Sequence, residues 1–172
     1  PEEGRLSLAG GYLVPGLIDL QINGGGGIMV DGGCDMATLR RICAAHIGLG
    51  ATAILPTLIT DTAEATRSVI AAGIAASRAG VAGFAGLHLE GPHLDPLRKG
   101  AHDAGLIRPM NTADLHHLCE AAQQLPALMI TVAPEAVTPE QIAAMPPGYH
   151  EELERARRSN DKFLSGLVTA AR

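Results

Sequence analysis

Residues 86–102, "GLHLEGPHLDPLRKGAH", place a carboxylate, Glu90, at the end of a short apolar run and directly before a Gly-Pro turn. A carboxylate at the end of a buried strand must be paired, hydrogen-bonded or bound to a metal ion. The stretch therefore predicts either a functional strand end, with a metal-binding or acid–base role for Glu90, or a structural glutamate satisfied by its neighbours. The turn at Gly91 and Pro92 fixes the direction of that strand end.

Similar apolar runs recur along the chain and alternate with segments of helical periodicity. The runs are "GLIDLQ" (16–21), "AILPTLIT" (53–60), "AGLHLE" (85–90) and "LMITVAPE" (128–135). The helical segments begin at Asp35, Asp61, Thr112 and Thr138, each of which is a residue type that caps helices. Alternation of helices with continuously apolar strands is typical of an α/β protein whose parallel sheet is covered on both faces.

A (β/α)8 TIM barrel fits this pattern better than a Rossmann sheet. No G-x-G-x-x-G turn follows the first strand, and "NGGGG" (23–27) does not lead straight into a helix. A complete barrel needs about 250 residues, so the 172-residue chain is expected to hold a partial barrel of about four βα units. Its open edge and uncovered face, together with a first residue that is Pro1, predict a fragment or a chain that associates, with a homodimer as the expected assembly.

The last part of the chain has a different pattern. Residues 146–172 are charged at first and then apolar, and no fifth strand is predicted there. One helical face could be formed by Leu153, Ala156, Leu164, Leu167 and Ala171. We therefore expect a C-terminal helical segment of unclear origin.

The composition excludes several classes of partner. The net charge is −5 with no evident basic face, which argues against nucleic acid. No run approaches the roughly 18 apolar residues that a membrane-spanning helix needs. Cys34, Cys43 and Cys119 are an odd number without the spacing of a disulfide framework, so a reduced, cytoplasmic setting is expected.

Several other polar residues lie where strands are predicted to end. His88 shares a strand face with Glu90 and is either a second ligand or a packed neighbour. His102 could polarise a carbonyl or bind an anion, or it could be an ordinary surface histidine. The amides of Gln21 and Asn23 could hydrogen-bond a water or a sugar, or satisfy the following turn, and amides are poor zinc ligands.

The remaining histidines and two basic residues are predicted to be mainly structural or solvated. His93 is next to the turn and is expected to have a structural role. Solvated or partly packed positions are expected for His46, His116 and His117. Arg98 and Lys99 are expected to be solvated, with contact to a substrate phosphate as the alternative.

The four motifs "GYLVPGLIDLQINGGGG", "ATAILPTLIT", "GLHLEGPHLDPLRKGAH" and "TVAPE" together resemble the N-terminal half of the N-acetylglucosamine-6-phosphate deacetylases, which are amidohydrolase-superfamily enzymes. The resemblance runs from about residue 10 to about residue 144. It implies hydrolysis of N-acetylglucosamine 6-phosphate to glucosamine 6-phosphate and acetate by a hydrolase that uses one divalent metal ion, with zinc as the expected metal. The substrate partner is then a small amino-sugar phosphate.

The resemblance also implies individual roles. Glu90 corresponds to a ligand of the catalytic metal, and His102 to a residue that polarises the scissile carbonyl. Gln21 and Asn23 stand where many amidohydrolases carry His-x-His, which points to one metal rather than two. With Gly91 and His102 they are the expected substrate-binding or water-positioning residues.

The same resemblance divides the chain into segments and implies that several residues of the active site are missing. Residues 1–14 are expected to be the remnant of a small β-sandwich domain, and residues 15–145 the N-terminal half of the hydrolase barrel. The family's two metal-binding histidines, its general-base aspartate and most phosphate contacts lie beyond the fourth strand, and no counterpart is found here.

Three hypotheses follow from these observations. The chain is part of a working deacetylase, or it is a non-catalytic half-barrel that self-associates. A third possibility keeps the enzyme class and changes the substrate to another amide. The fragment alone is expected to be inactive, because catalytic zinc normally has three protein ligands.

Overall fold

The computed structural model describes residues 8–146 and the backbone of a strand at residues 164–168. In chain order its elements are β1 (Leu17–Ile22), β2 (Gly24–Gly25), β3 (Ile28–Met29), α1 (Met36–Ile47), β4 (Ala51–Ile59), α2 (Ala63–Arg78), β5 (Leu87–Glu90), a 3-10 helix (Pro96–Arg98), α3 (Thr112–Ala122), β6 (Leu128–Val132), α4 (Pro139–Ala144) and β7 (Leu164–Val168).

The main sheet has the strand order β1-β4-β5-β6-β7. The first four strands in this order, β1, β4, β5 and β6, are parallel to one another, and a helix or a helix-bearing connection joins each of them to the next of the four. Together they form a curled, half-barrel parallel sheet, so the predicted α/β class and parallel strands are confirmed. All their carboxyl ends lie at the same edge of the sheet.

The central strands are buried on both faces, as continuous apolar runs predict. All five residues of β6 are buried, as are Leu87, His88 and Leu89 of β5. Buried residues of α1 and α2, among them Leu39, Ile42, Val69 and Ile70, pack against the sheet in the same core. Burial of such side chains contributes about 1.5–3 kcal/mol each, so this core carries most of the stability.

The edge strand β1 departs from that prediction. Leu17 and Ile18 are 67% and 68% exposed, and only Ile22 of this strand is buried. The reason is topological: β1 pairs with β4 on one side and has no second neighbour among residues 8–146 and 164–168. The expected cover on both faces therefore fails at this edge.

Residues 164–168 correct the expected C-terminal helix. They form β7, which runs antiparallel to β6 with Ile130 opposite Gly166. The expectation of no fifth strand is therefore wrong, because an apolar segment of five residues is long enough for a strand when an open sheet edge is available. The remaining residues of the predicted helical segment, apart from Pro146, lie outside the described residues, as do residues 1–7 of the predicted sandwich remnant.

Two predicted helix caps are wrong by one residue. The N-cap of α2 is Thr62 rather than Asp61, and its side chain accepts the Ala65 N–H. The N-cap of α3 is Asn111 rather than Thr112. Thr138 caps α4 with a capping box and a proline in the first turn, as predicted.

A short hairpin follows β1 and was not predicted. Its strands β2 and β3 are joined by Gly26 and Gly27, whose φ angles are +61° and +79°. Two successive residues in this region favour glycine, which explains the Gly-rich run without a nucleotide-binding role. His46 of α1 contacts the Gly24 carbonyl through Nε2 at 2.9 Å and fixes the hairpin against the helix.

Within residues 8–146 and 164–168, no helix combines the length and apolar character needed to cross a membrane.

Candidate functional site

The ends of three neighbouring strands bring most of the predicted site residues to one edge of the sheet. Gln21 lies near the end of β1, Thr60 directly follows β4, and Glu90 is the last residue of β5. In the register of the sheet, Glu90 stands beside Ile59 of β4 and Thr131 of β6. In α/β barrels this edge of the strands carries the chemistry.

Glu90 is held by neutral or weakly basic partners. Its Oε2 accepts a hydrogen bond from Gln21 Nε2 at 3.1 Å, and its Oε1 lies 3.7 Å from His102 Nε2. No lysine or arginine pairs with it in the part of the chain that the structure describes. The side chain is 18% exposed. A carboxylate in this setting keeps acceptor positions free for a cation or a proton.

His102 comes from a long loop and returns to the same point. Its Nδ1 lies 2.8 Å from the Thr60 hydroxyl and 3.4 Å from the Thr60 backbone N–H, which donates to it. A backbone N–H can donate only to an unprotonated Nδ1, so this contact favours a proton on Nε2, the atom that faces Glu90. The ring therefore presents an N–H donor to the site.

Gly91 is required by the close approach of two strand ends. A Cβ atom at this position would lie 2.1 Å from Thr60 Oγ1, and its φ is +92°. The backbone N–H of Gly91 donates to the Thr131 carbonyl at 3.2 Å. The Thr60 hydroxyl lies 3.3 Å from the Glu90 carbonyl. Only glycine lets the chain turn here while Thr60 touches both Glu90 and His102.

His88 lies inside the sheet rather than in the site. It is 1% exposed, with Nε2 at 2.8 Å from Thr131 Oγ1 and Nδ1 at 3.3 Å from Thr57 Oγ1. Burial lowers the pKa of His88 to about 4. It is thus a neutral, hydrogen-bonded core residue beneath the site, which supports the packed alternative over the ligand alternative.

The basic residues of the loop are engaged within the chain. Arg98 pairs with Asp95 and, at 2.9 Å, with Glu135. The hydrogen bond to Asp95 is the main reason that the pKa of Arg98 is raised. Lys99 Nζ donates to the carbonyls of Gly100 and His102. Both side chains therefore stabilise the loop that carries His102.

Relatives of known name match most of this chain. It is 42% identical over 135 residues to the N-acetylgalactosamine-6-phosphate deacetylase of a Shewanella species, covering 78% of this chain and 34% of the relative. It is 34% identical over 115 residues to the N-acetylglucosamine-6-phosphate deacetylase of Haemophilus influenzae, covering 67% and 30%. The crystal structure of the N-acetylglucosamine-6-phosphate deacetylase of Pasteurella multocida superimposes with a TM-score of 0.67 at 31% identity, covering 73% and 34%. No family model matches the chain.

The chain is a homologue of the amino-sugar 6-phosphate deacetylases. It matches their N-terminal part, which confirms the resemblance seen in the sequence motifs. The named homologues are hydrolases that act on amide C–N bonds. The chain spans about a third of the length of the deacetylases it matches.

Of the residues predicted for the deacetylase site, the structure brings together Gln21, Glu90, Gly91 and His102, and no described contact joins Asn23 to them. The Asn23 carbonyl accepts the Val30 N–H at the base of the hairpin. The Asn23 side chain makes no hydrogen bond within the described residues. This backbone contact places Asn23 at the start of the hairpin, and the role of its side chain stays a prediction.

The donors at the site fit one position of a metal centre rather than a complete one. Glu90 offers a carboxylate of the type that divalent ions bind, with the imidazole of His102 beside it. No group of three His, Cys, Asp or Glu side chains suited to a metal occurs among the residues described. A catalytic centre at Glu90 therefore needs ligands from elsewhere.

Thr60 joins Glu90 to His102, and the sequence marked it only as part of a polar strand end, without a site role. The signal was present in the threonines that end the "AILPTLIT" run. A hydroxyl in that position is not chemically distinctive by itself. Its importance comes from the neighbouring strand end, which only the fold reveals.

Proposed function

We propose that this chain forms the N-terminal part of a metal-dependent deacetylase that hydrolyses the N-acetyl amide of an amino-sugar 6-phosphate, giving the free amine and acetate. The observation that carries the proposal is the grouping of Glu90, Gln21 and His102 at one sheet edge of a deacetylase homologue. A partial TIM barrel is the architecture that we propose for residues 15–145.

In this proposal each side chain of the site has its own role in binding the metal or the substrate. Glu90 would hold one divalent cation, with zinc expected, and that cation would supply Lewis acidity toward the acyl oxygen and toward water. His102 offers its Nε2–H to the carbonyl oxygen of the substrate amide. Gln21 uses one N–H for Glu90, so its second N–H and its carbonyl oxygen are free for a sugar hydroxyl or a water. Because Gly91 has no side chain, Thr60 can lie against this strand end and contact the Glu90 carbonyl.

The proposal requires groups that the described residues do not supply. A catalytic zinc normally has three protein ligands, and a base must take a proton from the water. We therefore propose that the working enzyme contains further chain, which agrees with the matched segments covering only 34% and 30% of the two relatives. A cytoplasmic location and a homodimer remain part of the proposal.

The sugar is N-acetylglucosamine 6-phosphate in the main proposal. The second candidate is N-acetylgalactosamine 6-phosphate, because the 42% identical relative carries that name. The two sugars differ only in the orientation of one ring hydroxyl, which the Glu90 end of the site does not by itself distinguish.

A chimera tests both points. The matching 135 residues of the Shewanella deacetylase are replaced by those of this chain, and acetate release from each sugar phosphate is measured. We expect activity in the chimera and its loss, by at least about 100-fold, in Glu90→Gln, because even outer-shell changes at metal sites cost about 10–100-fold. Glu120→Gln, an exposed carboxylate of α3, is the matched control.

Measuring the zinc content shows whether an inactive Glu90→Gln chimera has lost its metal. Glu90→Gln is expected to lose bound zinc, while its thermal unfolding, measured after metal is removed from both proteins, stays close to that of the parent chimera. Full zinc content in that variant would remove Glu90 from the metal site. A folded chimera without acetate release from either sugar would refute the proposed reaction.

A further inference from the structure

The loop that carries His102 is closed at its base by the residues that begin and end it. This loop, residues 91–108, joins β5 to the segment before α3. The Arg108 backbone N–H donates to the Pro92 carbonyl at 3.1 Å. The Nδ1 of His93 donates to the Arg108 carbonyl, also at 3.1 Å. Both bonds join the first turn of the loop to its last residue.

Asp114 extends this closure into helix α3. It accepts the Arg108 guanidinium through both carboxylate oxygens, with Nη2 at 2.7 Å from Oδ1. The same carboxylate accepts the Asn111 backbone N–H at 3.0 Å, which completes the capping box of α3. Burial opposes ionisation of Asp114, but the hydrogen bonds from Arg108 and Asn111 outweigh it and lower its pKa. One charged group thus fixes both the loop and the helix that follows.

His93 joins the same group to the sheet. It is 3% exposed, and its Nε2 lies 3.9 Å from the Asp114 carboxylate. Burial is the main cause that lowers the pKa of His93. Its carbonyl accepts the Ala133 N–H, just after β6, at 2.7 Å. The group of His93, Arg108 and Asp114, called here the Arg108 cluster, therefore anchors the loop to both α3 and the end of β6.

A cavity lies beside the Arg108 cluster. Its volume is about 70 Å³, and its lining includes Pro92, His93, Arg108, Asp114 and His117. The buried Nε2 of His117 has no hydrogen-bond partner in the described part of the chain. The Arg108 cluster therefore borders a cavity rather than close-packed side chains on this side.

We infer that the Arg108 cluster is a positioning device for His102, and that Arg108 and Asp114 set the reactivity of the site without touching substrate. This inference rests on the proposed function for its catalytic meaning. The loop has 18 residues (91–108), and its only regular element is a single 3-10 turn. A loop with so little regular structure needs contacts at its ends to keep His102 beside Thr60. The position matters because small displacements of a catalytic group strongly reduce the rate.

Hydrogen exchange in the 172-residue chain tests the inference without metal or substrate. The Thr60 N–H donates to His102, so its exchange rate reports whether the ring is in place. In Asp114→Asn we expect exchange at Thr60 and at residues 97–106 to rise by about tenfold or more. Exchange in α1 and in the centre of β4 should not change. Arg67→Ala is the matched control, because Arg67 lines the same cavity and its ion pair among the described residues is with Glu64 of its own helix.

Three results would overturn the inference. Unchanged exchange at Thr60 would show that His102 is held without the cluster. An equal rise at every protected amide, α1 included, would show that Asp114 contributes only to global stability. Equal effects of Arg67→Ala and Asp114→Asn would show that any change near the cavity loosens the loop. Arg108→Lys, which keeps the charge but not the paired geometry, should give an intermediate rise.

The chimera separates this inference from the proposed function. There Asp114→Asn should lower kcat by about tenfold while KM and zinc content stay close to the parent values, because the cluster orients a group that acts in the transition state. An unchanged kcat would remove the catalytic meaning of the cluster. If the folded chimera releases no acetate at all, the proposed function fails, whereas the exchange result stands or falls by itself.

Discussion

The two sides of the candidate site are held very differently. On one side, Glu90, Thr60 and His102 are joined by hydrogen bonds between β4, β5 and the loop that follows. On the other side, Gln21 is on the exposed edge strand β1 and reaches Glu90 through one amide hydrogen bond. This chain therefore pre-organises the acidic half of the site, formed by Glu90, Thr60 and His102. The amide half, formed by Gln21, lies on a mostly exposed strand that has one neighbour in the described residues.

The largest effect on stability is expected at Gly91, because the side of the site that contains Thr60 and Glu90 leaves no space for a side chain there. In Gly91→Ala the new Cβ would lie 2.1 Å from Thr60 Oγ1, at a φ of +92°. We expect a loss of about 3 kcal/mol in the free energy of unfolding, from overpacking and backbone strain together. Urea denaturation followed by circular dichroism measures it.

Gly100→Ala is the matched control for that substitution. Gly100 also has a positive φ, +55°, but a Cβ there would meet nothing within 4 Å. Strain alone should cost about 1 kcal/mol. Equal losses in the two variants would contradict a crowded contact between Gly91 and Thr60.

A second effect on stability depends on pH and arises from His88, which is buried in the core beneath Glu90 and Thr60. The buried His88 has a folded pKa of about 4, below its ordinary value of 6.5. Between these values the unfolded chain binds more protons, so the stability present at pH 7 is lost as the pH falls from about 6.5 toward 4. The loss attributable to His88 is up to about 3 kcal/mol.

The variant His88→Gln isolates this contribution from that of the carboxylates. Glutamine can still hydrogen-bond the Thr57 and Thr131 hydroxyls, and it does not titrate. Unfolding by urea at several pH values between 7 and 4 should therefore show a shallower decline in the variant. Parallel declines in the two proteins would mean that His88 is not buried as a neutral ring. His116→Gln, at an exposed position, should behave like the parent.

A pair of threonines compares the two sides of the site directly. Thr60 contacts His102 and Glu90, whereas Thr52, at the start of β4, donates to the Leu17 carbonyl of β1 at 3.3 Å and is exposed. Thr60→Val should cost about 1–2 kcal/mol and Thr52→Val no more than about 0.5 kcal/mol, because an unmade hydrogen bond is expensive only where water cannot replace it. Chemical denaturation measures both, and a larger loss at Thr52 would reverse the comparison.

The sequence was sufficient for the parallel strands, because long apolar runs bounded by turns leave few alternatives. The family motifs also led us to expect Glu90 and His102 at one site, and the structure brings the two side chains to within 3.7 Å. Their roles in metal binding and catalysis stay predictions. The sequence could not distinguish Asp61 from Thr62, or Thr112 from Asn111, because both residues of each pair are good helix caps. Each error is one residue long and leaves the site unchanged.

Burial and long-range pairing were harder to predict, because they depend on neighbours rather than on local pattern. Leu17 and Ile18 have the composition of a buried strand and are exposed, since β1 has only one partner in the described residues. Residues 164–168 pair with β6 across more than 30 positions of chain. A strand of this kind has no local signal that separates it from a short apolar helix.

The smallest effect on stability is expected at the edge strand itself, where association can still change. Ile18→Lys alters a side chain that is 68% exposed, so the free energy of unfolding should change by no more than about 0.5 kcal/mol. If the proposed homodimer forms along β1, the same charge should shift the chain toward monomer, because a lysine on an edge strand opposes pairing. Sedimentation velocity measures the distribution. Leu97→Lys, at a 93% exposed position in the His102 loop, is the control. A dimer that persists in Ile18→Lys and dissociates in Leu97→Lys would show that the dimer contact lies at the His102 loop. The amide half of the site, formed by Gln21, would then not depend on self-association.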